Sequence, residues 1–360
     1  MSGPVDSPRP LGEGDAGLDP ERLAAWLTDE LGQDVDVLEA ERFARGFSNL
    51  TYLVRAAGRE MVLRRPPVGV KIASAHDMAR EFRIVQAVGR VWDKVPRAVA
   101  LCEDDAVLGA PFYLMERVRG IILRDRVPEG LALGEADFAA LSRNAVDVLA
   151  EIHGLDTEAA GLEIGHPEGY VRRQVAGWTG RYLKAKTDEI ADVERLAAWL
   201  EEHRPDESGA GLIHNDFKYD NLVLDPAAPT RVIAVLDWEM ATRGDPLLDL
   251  GSSLAYWVEA DDPPELQALR FCVTDQPGNL TREGVVERYR EVTGRAPFDP
   301  VWYYAYGLFK LLVVAQQLYV RHVRGLTREP RYARMIDAVR GLAAVALRAI
   351  GWGRIGALSS

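Results

Sequence analysis

Residues 20–27, Pro20-Glu21-Arg22-Leu23-Ala24-Ala25-Trp26-Leu27, place apolar side chains at helical spacing and predict a first helix. The stretch before it, residues 1–18, is rich in Pro, Gly and Asp and reads as a flexible tail. Three β-type runs follow at 35–43, 50–56 and 60–64, with Gly58 marking a turn, and predict an antiparallel meander. Met78, Phe82, Val85 and Val88 share one face of segment 76–91, which predicts a crossing helix. Strands at 97–102 and 111–118 then complete a small lobe of five strands and one inserted helix. From Gly120 onward the pattern is mainly helical, over 135–153, 168–186, 189–203, 246–258, 281–293, 300–323 and 330–349. Only 211–236 breaks into loops and short strands. The pattern therefore predicts an α+β chain with an N-lobe over 19–118 and a mainly helical C-lobe over 119–360.

Composition narrows this only slightly. With 360 residues, 48% of them hydrophobic and 27% charged, the chain can bury one large core or two packed lobes. No apolar run approaches the roughly 20 residues that span a bilayer, and the start lacks the basic and apolar regions of a signal peptide. A cytoplasmic chain with no membrane partner is expected. The net charge of −12 argues against nucleic acid as a partner. Cys102 and Cys272 are too few and too distant for a disulfide framework, so two reduced, buried thiols are expected. His76, His166, His203 and His322 show no metal-ligand spacing, so no zinc site is expected.

The chemistry is concentrated in the segment that breaks the helical pattern. Leu212-Ile213-His214-Asn215-Asp216-Phe217-Lys218-Tyr219-Asp220-Asn221 is followed by Val232-Ile233-Ala234-Val235-Leu236 and then Asp237. Phosphoryl transfer to an alcohol needs positioning and charge neutralisation more than covalent work. Asp216 is suited to orient an acceptor hydroxyl and take its proton, and Lys218 to point a cation at the transferring group. Asn221 offers a neutral amide oxygen and Asp237 an anionic one, a pair suited to magnesium. His214 reads as a scaffold residue whose ring bonds nearby backbone, Asp245 as a helix cap, Asp249 as a brace for the loop and His153 as a packing histidine.

His-Asn-Asp-x-x-x-x-Asn, a strand ending in Asp237-Trp238-Glu239, and Gly244-Asp245-Pro246-x-x-Asp249-Leu250 together resemble the aminoglycoside phosphotransferase and choline kinase branch of the protein-kinase-like fold. The match is to the subgroup that occurs alone in bacteria or joined to acyl-CoA dehydrogenase domains, and it covers roughly residues 35–325. The resemblance implies a two-lobed kinase-like fold, ATP and Mg2+ as cofactors, Asp216 as base, Asn221 and Asp237 as metal ligands, and Lys218 as a phosphate contact. It also implies that Arg64 stands at the phosphate-binding lysine position and pairs with Glu81, although neighbouring Arg65 leaves the register open. Tyr113-Leu114-Met115-Glu116-Arg117-Val118 resembles the hinge, where the Glu116 carbonyl and Val118 N–H would meet adenine. In Arg45-Gly46-Phe47-Ser48-Asn49, backbone N–H groups and the Ser48 hydroxyl would cover the phosphates, although a plain hairpin turn uses the same residues.

Departures from protein kinases favour a small-molecule acceptor. The loop between the first two strands, Arg45-Gly46-Phe47-Ser48-Asn49, carries no Gly-x-Gly-x-x-Gly, Trp238-Glu239 stands where Phe-Gly would, and Asp245 follows too soon for a long activation loop. Two helical segments are locally basic. Arg172, Arg173, Arg181, Lys184 and Lys186 lie in one, and Arg321, Arg324, Arg328, Arg331 and Arg334 in and after the other. These residues fit an anionic acceptor, and the subgroup resemblance suggests a hydroxyacyl-CoA; solvated helix faces account for the same charges. Trp302, Tyr303, Tyr304, Tyr306 and Phe309 read as core or as an acceptor wall. An aminoglycoside-modifying kinase, a nucleotide-binding homologue without catalysis and a protein kinase are the alternatives.

Overall fold

The structure is a computed structural model and describes residues 8–12, 15, 17–35, 38–43, 49–67, 77–327 and 329–359. Side-chain alternation organises the small lobe. Strands β1 (Arg9–Pro10), β2 (Leu38–Arg42), β3 (Leu50–Ala56), β4 (Arg59–Arg65), β5 (Ala98–Cys102) and β6 (Phe112–Glu116) form an antiparallel sheet in the order β1-β2-β3-β4-β6-β5. Met61 and Leu63 of β4 point to the face covered by α1 (Pro20–Leu31), where Leu23, Leu27, Tyr52, Val54 and Phe112 pack with them. Val62 points the other way, toward Met78 at the start of α2 (Met78–Val88) and Tyr113 of β6. The β3–β4 turn takes left-handed backbone at Ala57 (φ 52°) and Gly58 (φ 71°), as a two-residue hairpin with native strand twist requires.

The described residues of the expected loose tail, 8–12, 15, 17 and 18, are docked on this sheet. β1 pairs with β2, and the buried Asp15 carboxylate takes Arg42 at 2.7 Å and Arg9 at 3.0 Å. The tertiary ion pairs that order this segment leave no mark in local composition. A short helix α3 (Asp105–Leu108), capped by Asp104, also exceeds the five-strand, one-helix expectation.

The larger lobe is built from α4 (Glu135–His153), α5 (Tyr170–Ala185), α6 (Ala191–Glu202), α7 (Pro246–Tyr256), α8 (Pro264–Gln267), α9 (Arg282–Thr293), α10 (Pro300–Val323) and α11 (Met335–Trp352). The helix expected over 330–349 begins as a 3-10 turn at Pro330–Arg334 and becomes α-helical from Met335. Trp302, Tyr303, Tyr304, Tyr306 and Phe309 are buried, which settles them as core. Both cysteines are free and buried. Among the described residues, no helix is long and apolar enough to cross a membrane.

Two hairpin-like pairs carry the polar motif: β7 (Gly211–Ile213) with β10 (Thr242–Gly244), and β8 (Leu222–Asp225) with β9 (Ala228–Val235). The connection between lobes is stitched to β8, with Ile121 and Leu224 exchanging backbone hydrogen bonds at 2.9 and 2.7 Å. Gly120 permits this approach, because a Cβ there would collide with the Val223 side chain and the Leu224 carbonyl. On the other side of the cleft, Val235 N–H donates to the Lys94 carbonyl at 2.8 Å. The turn after α2 is thereby joined to the end of β9, two residues before Asp237.

Candidate active site

The loop from β7 to β8 is held from below by one buried carboxylate. Asp249, fully buried in α7, accepts the His214 N–H at 2.6 Å with Oδ2 and the Asn215 N–H at 2.7 Å with Oδ1. His153 Nε2 lies 3.1 Å from the same Oδ2, and its Nδ1 is 2.7 Å from the Tyr289 hydroxyl. Burial alone would raise the Asp249 carboxyl, but His153, His214 and Lys310 hold it below the usual carboxylate range. Asp245 caps α7 by accepting the Leu247 N–H at 2.8 Å. The bracing, capping and packing roles read from sequence for Asp249, Asp245 and His153 match this geometry.

His214 fixes the loop from within. Its Nε2 lies 2.9 Å from the Leu236 carbonyl and its Nδ1 is 3.3 Å from the Asp216 N–H. A ring that donates at one nitrogen and accepts at the other is neutral. Burial lowers its pKa in the same sense, against the pull of Asp249, Asp216 and Asp237.

Above this scaffold the polar side chains converge. Asp216 Oδ2 accepts Lys218 Nζ at 2.5 Å and Asn221 Nδ2 at 3.1 Å, while Asn221 Nδ2 also reaches the Asp216 carbonyl at 2.8 Å. The Asn221 amide nitrogen is thus spent inside the loop, and its Oδ1 is turned to the opposite side. Asp216 and Tyr256 raise the Lys218 pKa against burial, and the ammonium sits 4.8 Å over the Tyr256 ring. Leu236 N–H donates to the Asn221 carbonyl at 2.8 Å, which brings Asp237 beside Asn221.

The small lobe reaches the same point through Arg64. Because Arg64 shares the Val62 face of β4, it points at α2, where Nη1 lies 2.8 Å from Glu81 Oε1. Its Nη2 lies 2.9 Å from Asp237 Oδ1 and 3.5 Å from Glu239 Oε2. Arg65 points to the opposite face and donates to the Gly17 carbonyl. Strand parity therefore makes Arg64, and not Arg65, the partner of Glu81. Burial pushes the Glu81 carboxyl up to about 7 against the pull of Arg64. Arg64, with Lys218, holds Asp237 below the usual carboxylate range although burial works the other way.

Glu116 closes β6, its carboxylate meets Arg97, and Val118 lies in the connection that leads to the Ile121 bridge. Asn49 Nδ2 donates to Glu239 Oε2 at 2.8 Å. Arg45, Gly46, Phe47 and Ser48 lie outside the described residues, as do His76 and Arg328.

Several residues of the basic segments are engaged locally. Arg173 bonds the His166 and Glu168 carbonyls, Lys186 pairs with Glu189 and Glu194, and Arg331 pairs with Glu329. Arg181 lies over the Trp178 ring at 4.6 Å.

Four residues at the site escaped the sequence reading. Tyr256 packs under Lys218, Glu239 adds a third carboxylate to Arg64, and Arg80 donates to the Glu239 and Ala241 carbonyls at 2.8 and 2.5 Å. Lys310 donates to the Asn215 carbonyl at 2.6 Å. Lys310 alone had a legible signal, a cation in the otherwise apolar Tyr306-Gly307-Leu308-Phe309-Lys310-Leu311-Leu312 run.

This geometry coincides with a family match. The profile described as "APH: Phosphotransferase enzyme family" matches residues 39–271. The chain belongs to this phosphotransferase family. It is 38% identical over 312 residues to mouse "Acyl-CoA dehydrogenase family member 10", covering 85% of this chain and 28% of that protein. The chain spans only 28 to 40% of the length of such relatives. A Ralstonia eutropha crystal structure assigned to the aminoglycoside phosphotransferases superposes with a TM-score of 0.75 at 29% identity, covering 91% of this chain and 97% of that one. A thermostable mutant of aminoglycoside phosphotransferase APH(4)-Ia, in ternary complex with AMP-PNP and hygromycin B, shares the fold at a TM-score of 0.57 and 17% identity, over 91% of this chain and 98% of that chain. The two-lobed, kinase-like α+β architecture expected from sequence is the architecture of this family.

Proposed function

We propose that the chain transfers the terminal phosphate of ATP to a hydroxyl of a small metabolite, with a hydroxyacyl-CoA as the acceptor. The observation that carries the transfer is the Asp216 carboxylate, one oxygen of which is held by Lys218 and Asn221. Its other oxygen is directed by that grip and is suited to receive the acceptor's proton. Lys218 holds positive charge beside the point of transfer, and Arg64 supplies a second cation from the small lobe. Backbone groups at Glu116 and Val118 are suited to an adenine edge, and residues Gly46, Phe47, Ser48 and Asn49 to cover the phosphates.

Asn221 and Asp237 fit a magnesium ion by the chemistry of their donors. One amide oxygen and one carboxylate form a small, hard oxygen set, of the kind magnesium uses together with waters and phosphate oxygens. When bound, the ion would neutralise charge on the nucleotide phosphates. Asn221 is pre-oriented for this by spending its amide nitrogen on Asp216.

The acceptor proposal is supported by relatives named as acyl-CoA dehydrogenase family members, since a phosphotransferase joined to such a protein would meet acyl-CoA substrates. A second reading, an aminoglycoside kinase, is favoured by the structural neighbour assigned to that class. Incubating the protein with ATP, magnesium and a panel of hydroxyacyl-CoA, aminoglycoside, choline and sugar acceptors, read by mass spectrometry, separates them. A phosphorylated hydroxyacyl-CoA is expected. Exclusive phosphorylation of an aminoglycoside would overturn the acceptor, and Asp216→Asn protein with full turnover would overturn the base.

A further inference from the structure

Lys310 is a cation with no carboxylate in direct contact among the described residues, although it is only 8% exposed in the middle of α10. Its Nζ donates to the Asn215 carbonyl at 2.6 Å and approaches Ser252 Oγ at 3.3 Å, with the Trp178 ring centre 5.9 Å away. An unpaired buried ammonium is costly, and a methionine would fill the same space at lower cost. Its contact with the catalytic loop is therefore the feature that needs explaining.

The contact falls on a strained residue. Asn215 has φ 65°, a left-handed conformation that L residues adopt at a cost of about 1 kcal/mol or more. Its N–H is held by Asp249, its side-chain amide by the Met240 carbonyl at 3.1 Å and the Tyr170 hydroxyl at 3.3 Å, and its carbonyl by Lys310. That carbonyl belongs to the peptide whose N–H is Asp216's. Rotation of this one peptide plane would swing the Asp216 carboxylate away from Lys218 and Asn221.

We propose that Lys310 is a positioning residue: its ammonium clamps the Asn215 carbonyl against the Asp249 carboxylate on the other side and so aims Asp216. The helix crossing that delivers it is built for close approach. A Cβ at Gly307 would sit on the Gly251 carbonyl, and a Cβ at Gly251 would sit on the Tyr303 carbonyl, so α7 and α10 touch backbone to backbone one turn before Lys310. Groups facing the ammonium from the neighbouring elements are Asp249 and Ser252 of α7, Asp216 and Lys218 of the loop, and Arg181 of α5. Burial lowers its pKa against the pull of Asp249 and Asp216, so the clamp weakens on the alkaline side sooner than for a solvated lysine.

The test compares Lys310→Met and Lys310→Arg with the wild type by amide hydrogen exchange without nucleotide and by phosphate release from Mg-ATP, with water as acceptor. The exchange measurement does not depend on the proposed function, whereas the kinetic one rests on it. In Lys310→Met, exchange over residues 214–219 should rise about tenfold or more while α7 and the rest of α10 stay protected. The kcat for phosphate release should fall about 100-fold with KM for ATP unchanged, as expected when a reacting group is misaimed and binding is not. Lys310→Arg should restore most of both. Unchanged loop exchange in Lys310→Met, or a rise spread evenly through α7 and α10, would overturn the clamp. An Arg variant no better than Met would do the same. Absence of any wild-type ATP turnover alongside the local exchange effect would leave the clamp standing and count against the proposed function.

Discussion

Arg64 Nη2 lies 2.9 Å from Asp237 Oδ1, and this pair joins the third long strand of the small lobe to the carboxylate that follows β9 in the large one. The same guanidinium holds Glu81 at 2.8 Å and Glu239 at 3.5 Å, so one cation serves three carboxylates. Arg64→Met is expected to lower stability by about 3–5 kcal/mol, because it leaves buried carboxylates facing one another without a cation. Arg64→Lys should recover only part of this, since a single ammonium cannot fork between α2 and the Asp237 turn. Urea unfolding of the two variants measures both effects, and a loss below 1 kcal/mol in Arg64→Met would show that the three carboxylates are solvated or protonated.

The neutral His214 ring makes stability depend on pH. Its pKa in the folded chain lies below the ordinary histidine value of 6.5, so below that pH the unfolded chain binds the extra proton and the folded chain does not. The His214 contribution should be full above pH 6.5 and be lost as the pH drops through its folded pKa, with a slope of at most about 1.4 kcal/mol per pH unit, while Glu81, raised to about 7, contributes with the opposite sign. Asp249, also lowered, acts in the same direction as His214 but only below its ordinary value of 3.8. His214→Asn should flatten the curve below pH 6.5, measured by urea titration at each pH. An unchanged slope would assign the dependence to another group.

Much of the fold was legible because periodicity is local. The helices at 135–153 and 300–323 appear at their expected bounds, since each carries several turns of regular spacing and a cap. The candidate site was legible for a different reason, namely that Asp216, Lys218, Asn221 and Asp237 lie close in sequence and the short β8–β9 hairpin folds them together. What the sequence hid depends on partners far along the chain. Asp15 is ordered by Arg42 and Tyr52, Arg65 by Gly17, and Lys310 serves a carbonyl on another element. Which of Arg64 and Arg65 pairs with Glu81 was open in sequence and is decided by which face of β4 meets α2.

Arg282 and Asp262 form a fully buried fork, with Nη1 and Nη2 at 2.6 and 2.5 Å from the two carboxylate oxygens. Arg282 also donates to the Ile355 carbonyl at 2.6 Å and the Trp257 carbonyl at 2.9 Å, tying the end of the chain to the turn after α7. Asp262→Asn is expected to cost about 3–5 kcal/mol, because it removes the two-point carboxylate partner of a buried guanidinium and leaves it Glu259 at 3.4 Å. Arg282→Met combined with Asp262→Leu should cost less than Asp262→Asn alone, since removing both charges removes the desolvation penalty with the attraction. Chemical denaturation of both variants decides this, and additive losses would show that the fork is held by its backbone contacts instead.

Gly307 sits where α10 crosses α7, and its missing side chain is what lets the two backbones meet. Gly307→Ala would drive a methyl into the Gly251 carbonyl and force the helices apart. A cost of about 1–3 kcal/mol is expected from overpacking alone. The shift should also be felt at the active site, because Lys310 lies one turn further along the same helix and reaches the Asn215 carbonyl at 2.6 Å. Outward movement of α10 by even a few tenths of an ångström lengthens that bond beyond its best range. Thermal unfolding should therefore show a lowered Tm for Gly307→Ala, and amide exchange at residues 214–219 should rise with it. Adding Gly251→Ala should not restore either, since that Cβ meets the Tyr303 carbonyl and adds a second collision. A Gly307→Ala protein with wild-type Tm and a protected loop would mean that α10 can slide without moving Lys310, and that the crossing is looser than its backbone contact implies.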